Sequence, residues 1–169
     1  MIIDELLTIK DKLTKGEINE LIICDQLAHR GYNCKWLHDN NPNWDLQIKK
    51  GNCTNYVECK LDGKATDNLY FEFWNYTNNR PTGINNKNLS SLYCHTFKYK
   101  GEWSFIINYR KAFINTLAKI QKENESKIKA YNKTYHINNK LCGDKAYIVN
   151  IETFLKYYQG KIYPIEIYF

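Results

Sequence analysis

The sequence predicts a mixed α/β domain, a central β-sheet flanked by helices, from three observations. A Thr-x-x-Glu capping box opens a helix at Thr14. Short apolar segments with strand-like alternation recur between residues 32 and 107. Over 109–123 the apolar residues Ala112, Phe113, Leu117 and Ile120 return at spacings of three and four.

Taken in order, Ile3, Leu6, Leu7 and Leu13 give residues 2–13 the spacing of a short amphipathic helix. Thr14-Lys15-Gly16-Glu17 starts a second helix, which runs to about His29 and stops at Gly31. Strands follow at 32–37, 44–49, 53–60 and 69–74. Residues 75–90 are rich in Asn and hold Pro81 and Gly83, so they read as a long loop. Strands near 91–97 and 102–107 flank a turn at Lys100-Gly101, ahead of the helix at 109–123. The polar segment 124–143 fits no pattern. A strand at 145–150, a short helix at 151–158 and an apolar tail at 162–168 close the chain.

No internal repeat and no Pro/Gly/Ser-rich linker interrupts the 169 residues, so one domain over 1–169 is the simplest organisation. Hydrophobic residues at 43% and charged residues at 25% are ordinary for a globular protein, and no apolar run is long enough to span a bilayer. The start lacks the basic-then-apolar pattern of a signal peptide, which predicts a cytoplasmic protein without a membrane partner. The six cysteines lie in or beside apolar segments and read as reduced, small hydrophobes. Cys24, His29, Cys34 and His38 invite a zinc reading, but there is no Cys-x₂-Cys pair, and Cys24 and His29 point to different helix faces. The net charge of +6 is compatible with a nucleic-acid partner, although Lys-, Asn-, Ile- and Tyr-rich composition is also what an AT-rich genome encodes.

The chemistry concentrates in Trp44-Asp45-Leu46-Gln47-Ile48 and Tyr56-Val57-Glu58-Cys59-Lys60. Strand alternation sets Trp44, Leu46, Ile48, Val57 and Cys59 on an apolar face, with Asp45, Glu58 and Lys60 on the other. Gly51-Asn52 is a two-residue hairpin turn, and this turn brings Leu46 opposite Val57 and Asp45 opposite Glu58. Facing carboxylates repel unless a cation lies between them, and clustered oxygens suit Mg²⁺, with Mn²⁺ as a substitute. Lys60 then points at the same place, where it can orient a water or stabilise charge on a phosphate. The plainer alternative is a solvated, charged strand face.

Pro42-Asn43-Trp44-Asp45 followed by Tyr56-Val57-Glu58-Cys59-Lys60 resembles the bipartite motif of the PD-(D/E)xK nuclease superfamily, with the Pro three residues before the Asp instead of adjacent. Lys15-Gly16-Glu17-Ile18-Asn19-Glu20 is similar to the Lys-Gly-x-x-x-Glu start of the first helix of archaeal Holliday-junction resolvases, and the resemblance covers about residues 14–75. It implies a restriction-endonuclease-like core and a metal-dependent endonuclease acting on DNA, with catalytic Glu20, Asp45, Glu58 and Lys60. Asp45, Glu58, the main-chain carbonyl of Cys59 and, through water, Glu20 would hold the metal. Restriction-type and RNA-cutting enzymes belong to the same superfamily, and a non-catalytic nucleic-acid-binding module is the rival from another class. A homodimer would suit paired cuts.

Glu17 and Glu20 have separate jobs in this reading. Glu17 closes the capping box, and Glu20 borders the apolar stripe Ile18, Leu21, Ile22 and Ala28, facing the sheet. Arg80 and Lys87 in the Asn-rich segment are either phosphate contacts or the incidental charge of a solvated loop. Glu72 is a weaker acidic candidate, and His95 and His136 read as hydrogen-bonded structural residues.

Overall fold

The computed structural model describes residues 13–37, 44–62, 66–85, 92–137 and 140–166. The expected helix at 2–13, apart from Leu13, and His38, the Pro42-Asn43 pair and Lys87 lie outside them. The chain is α/β, with three α-helices among the described residues and a mixed sheet of parallel and antiparallel strands. It divides into two compact units, residues 1–63, 89–108 and 161–169 in the first and 64–88 and 109–160 in the second.

In the first unit, α1 (Lys15–His29) begins as its sequence demands. The Thr14 hydroxyl accepts the Glu17 N–H at 3.2 Å and the Glu17 carboxylate accepts the Thr14 N–H at 2.5 Å. Gly31, at φ +82°, ends it: Gly31 N–H bonds to Ala28 C=O and Tyr32 N–H to Leu27 C=O, a Schellman closure. The inward face differs from the expected stripe. Ile18, Asn19, Ile23, Gln26 and Leu27 are buried, whereas Leu21 and Ala28 are exposed. Gln26 is buried because its amide exchanges two hydrogen bonds with the backbone of Glu166, donating to the carbonyl at 2.5 Å and accepting the N–H at 3.1 Å.

The six-stranded sheet of this unit has the order β1-β2-β3-β6-β7-β10. These strands are β1 (Asn33–Trp36), β2 (Leu46–Lys50), β3 (Cys53–Leu61), β6 (Leu92–Tyr99), β7 (Glu102–Tyr109) and β10 (Ile162–Pro164). The β1–β2, β2–β3 and β7–β10 pairs are antiparallel, and β3 runs parallel to β6. Lys100 and Gly101, both at positive φ, turn β6 into β7. Ile23 and Leu27 of α1 pack with Leu46, Ile48, Val57, Cys59, Cys94 and Phe105, the apolar face the alternation predicts. Each fully buried Leu, Ile or Val there contributes roughly 1.5–3 kcal/mol.

The second unit is built on an antiparallel sheet ordered β5-β4-β9-β8. It comprises β4 (Asn68–Asn75), β5 (Arg80–Pro81), β8 (Ile128–Ile137) and β9 (Lys140–Asn150), with α2 (Arg110–Glu123) and α3 (Ile151–Tyr157). Phe71, Phe113, Phe154 and Tyr158 form its aromatic core, with ring centroids 5.1–6.2 Å apart. Two expectations are corrected here. Residues 75–85 are more than loop: they make a turn, the short strand β5 paired to β4, and a 3₁₀ turn at Gly83–Asn85. Within 124–143, a 3₁₀ turn at Glu125–Lys127 leads into the β8–β9 hairpin, whose first strand is exposed over residues 129–136 and carries no apolar alternation.

Candidate active site

The site grows out of the β2–β3 hairpin. Gly51 supplies the positive φ (+58°) that the turn requires, and the register runs from Lys50↔Cys53 to Leu46↔Val57, as the turn length dictates. Just ahead of β2 the Trp44 ring stacks on Tyr56 with centroids 4.0 Å apart. Because β2 begins only at Leu46, alternation does not reach Trp44, which leaves the apolar face expected for it and fixes the approach of the chain to Asp45.

Asp45 sits one residue beyond the last ladder pair, so the strict pairing with Glu58 is not continued that far. Its N–H donates to Val57 C=O and its C=O accepts the Leu37 N–H, both at 3.0 Å. Its carboxylate oxygen Oδ2 accepts the Cys59 N–H at 2.6 Å, so the side chain meets a strand edge that β2 no longer covers. A strand residue directs its N–H and C=O to the same edge, so the Cys59 carbonyl faces Asp45 as well. The Cys59 thiol, by contrast, is buried in the apolar cluster, where burial and the neighbouring Cys94 thiol push it far above the ordinary thiol range.

Glu58 and Lys60 share a face of β3, and Lys60 Nζ lies 2.7 Å from Glu58 Oε1, with 35% and 11% of the side chains exposed. Glu20, one turn into α1, accepts the Trp36 indole N–H at 2.8 Å. Burial raises the Glu20 carboxyl, the Trp36 hydrogen bond opposes this, and the charge of Glu17 adds to it. Asp45 is displaced further, to about 7. Burial is the main cause and the Glu58 charge the second; the Cys59 N–H works against them. The charges of Glu20, Glu58 and Lys60 all act on Asp45, so the structure brings the four sequence-selected residues into one electrostatic cluster.

Three carboxylates and a backbone carbonyl are hard oxygen donors of the kind Mg²⁺ and Mn²⁺ take, and a divalent cation would relieve the burden on Asp45. Among the described residues no three His, Cys, Asp or Glu side chains are already set as a ligand cage, and Glu58 is engaged by Lys60. The donor chemistry fits; a bound cation would draw Glu58 from its lysine.

Other candidates separate from this cluster. Arg80 is exposed on β5, and Glu72 lies on β4, both in the second unit. His136 is exposed on β8. His95, set aside as structural, is 1% exposed on β6, with Nε2 3.4 Å from Asp62 Oδ2. The parallel register sets it beside Lys60. Asp62 extends the Glu58, Lys60 alternation, a signal the sequence carries; His95 is the buried, partnered residue expected of it, and only the identity of its partner depends on the fold. The six cysteines are free thiols. The Cys24 and Cys34 thiols hydrogen-bond to each other, which lowers Cys24 and raises Cys34, and His29 Nε2 lies 3.4 Å from Asp25. Among the described residues no helix is long and apolar enough to cross a membrane.

Neither the protein-family models nor the curated proteins compared with this chain match it.

Proposed function

We propose that this protein is a Mg²⁺-dependent phosphodiesterase of the restriction-endonuclease-like kind, cutting nucleic acid, with DNA the favoured substrate. The observation that carries the reading is the Asp45 carboxyl, held at about 7 by burial and by Glu58. An apolar pocket alone would exclude such a group. Here it is kept beside two more carboxylates and a lysine, an arrangement that costs stability and suits a site made for a cation.

Asp45, Glu58 and the Cys59 carbonyl would hold the metal, with Glu20 acting through water and its orientation fixed by Trp36. The ion would supply Lewis-acid stabilisation of the phosphate and a more acidic water. The Cys59 N–H holds one Asp45 oxygen in place, which limits the rearrangement needed on binding. Lys60, on the same face as Glu58, places a positive charge where a water must be oriented and where charge develops on the phosphate. The resemblance of residues 14–75 to the resolvases supports the same assignment and adds a preference for branched duplexes.

The test is a cleavage panel of four-way junction, flap, linear duplex, single-stranded DNA and RNA, each with Mg²⁺, Mn²⁺ or EDTA. Metal-dependent cutting of at least one substrate, lost in Asp45→Asn and Glu58→Gln, is the expected result. Cutting that survives either substitution at near-parent turnover would sink the assignment.

A further inference from the structure

The charge of the chain is unevenly divided. The second unit carries 13 Lys and Arg against 6 Asp and Glu, a net +7, and the first carries 11 against 12, a net −1. The whole positive excess therefore belongs to the unit that lacks the carboxylate cluster. A body of this charge attracts a polyanion, and phosphate contacts of this kind supply most of non-specific nucleic-acid affinity.

The same unit holds a recess of about 350 Å³. Phe73 and Trp74 of β4, Ile84 of the 3₁₀ turn and Ile114 of α2 give it apolar walls, and Asn85 and Arg110 supply its polar groups. A second recess of about 130 Å³ adjoins it, sharing Ile84, Asn85 and Ile114 and reaching Gln121 and Tyr147. Its shape is fixed from two sides. The Arg110 guanidinium donates to the Gly83 carbonyl, tying α2 to the 3₁₀ turn. Gly83, at φ +51°, lies so close to the Glu72 carbonyl that a Cβ there would collide with it. Arg80, exposed on β5, precedes Pro81, whose backbone pairs with Trp74 and whose side chain also lines the recess.

We propose that this recess binds a single unpaired nucleobase, stacked against the aromatic wall, with Arg80 on the adjoining phosphate. The volume lies near the lower end of small-ligand cavities, room for one nucleotide-sized group and too little for a base pair with its backbone. Aromatic and aliphatic walls take the faces of a base, an amide such as Asn85 can both donate to and accept from its edge, and the surrounding charge takes the phosphates. The ligand's identity as nucleic acid rests on the phosphodiesterase reading, which the proposal deepens: the substrate class becomes single strands, or duplexes with unpaired nucleotides such as flaps and junctions.

The experiment is fluorescence anisotropy of the full chain in EDTA with a fluorescein-labelled single-stranded oligonucleotide and a blunt duplex of the same length. The parent protein is expected to bind the single strand about tenfold tighter than the duplex, a modest share of what base stacking can supply. Ile114→Glu, a change at a helix position 40% exposed, should weaken single-strand binding about tenfold or more without altering the melting curve. Arg80→Ala should weaken it severalfold and reduce the salt dependence of binding. Trp74→Phe keeps an aromatic wall and should bind within about threefold of the parent, but lose the tryptophan quenching that accompanies binding in the parent.

Equal affinity for both probes, parent-like binding by folded Ile114→Glu, or undiminished quenching in Trp74→Phe would overturn the proposal. Because no metal is present, its fate is separable from that of the enzyme. A protein that binds the single strand through these residues yet never cleaves contradicts only the phosphodiesterase reading. One that cleaves while Ile114→Glu binds normally contradicts only the recess.

Discussion

The Asp45 carboxylate takes the main-chain N–H of Cys59 at 2.6 Å, at the point where β2 has ended and β3 continues. This bond is the main favourable contact of a group that burial and Glu58 otherwise penalise, and it does not compensate them, since the carboxyl still titrates at about 7. The consequences are measurable without any substrate.

Stability of the metal-free protein should fall as pH rises. The native chain holds the Asp45 proton up to about pH 7, whereas an unfolded aspartate releases it near 3.8, so between those values the folded state binds more protons and loses ground with each step upward. The full effect is about 4 kcal/mol at most, and Glu20, raised by burial, acts in the same direction. Asp45→Asn keeps an acceptor for the Cys59 N–H and removes the titration. In EDTA it should melt higher than the parent at pH 8, with the two converging toward pH 4. Thermal melts across that range would show it; parallel parent and variant curves would contradict the assignment.

Metal affinity should carry the opposite pH dependence. A cation displaces the Asp45 proton, so Mg²⁺ or Mn²⁺ binding should strengthen as pH rises through about 7 and level off above it, with proton release greatest on the acid side. Calorimetric titrations at pH 6.5 in two buffers of different ionisation enthalpy measure that release directly. Binding without proton uptake by the buffer would place the metal away from Asp45.

The two glutamates of α1 separate stability from chemistry. Glu17 reaches back to the Thr14 N–H, and Glu17→Ala should cost about 0.5–2 kcal/mol while leaving cleavage almost unchanged. Glu20→Gln keeps an acceptor for the Trp36 indole yet removes a charge from the cluster, and should impair cleavage with little loss of stability. Urea melts beside single-turnover assays would detect the reverse pattern.

Much of the first unit was legible because its signals are local. The capping box, Gly31 and the Gly51-Asn52 turn each act over a few residues, and the turn length alone fixes Leu46 against Val57. The errors arise where partners are remote. Gln26 looks like a surface residue until Glu166, 140 positions on, satisfies its amide. The place of His95 beside Lys60 depends on a parallel pairing across more than thirty intervening residues. β8 escaped because a strand exposed over residues 129–136 has no apolar face to alternate, and its pairing rests on backbone hydrogen bonds that any sequence offers. The part of β9 that buries Ala146 and Val149, by contrast, reads as a strand at 145–150. The division into two compact units has no counterpart in composition, since the chain enters and leaves the second twice and no linker marks the crossings.

Lys60 tests whether the cluster is catalytic or merely a charged strand face. Its ammonium lies 2.7 Å from Glu58, with about a third of the side chain exposed. As a surface ion pair it would be worth about 0–1 kcal/mol, and neither Lys60→Ala nor Lys60→Arg would change turnover. As the group that orients water and stabilises charge on the phosphate, it has a different signature. Lys60→Ala should remove most turnover while metal binding survives, and it should tighten that binding, because Glu58 is released and the repulsion between ammonium and cation disappears. Lys60→Arg retains the charge but replaces a compact ammonium with a wide planar fork, so it should restore little activity. Single-turnover cleavage at saturating metal, read beside a metal-binding isotherm for each variant, separates the two accounts. Low turnover with undiminished metal affinity supports catalysis, and parent-like rates in both variants leave only the ion pair.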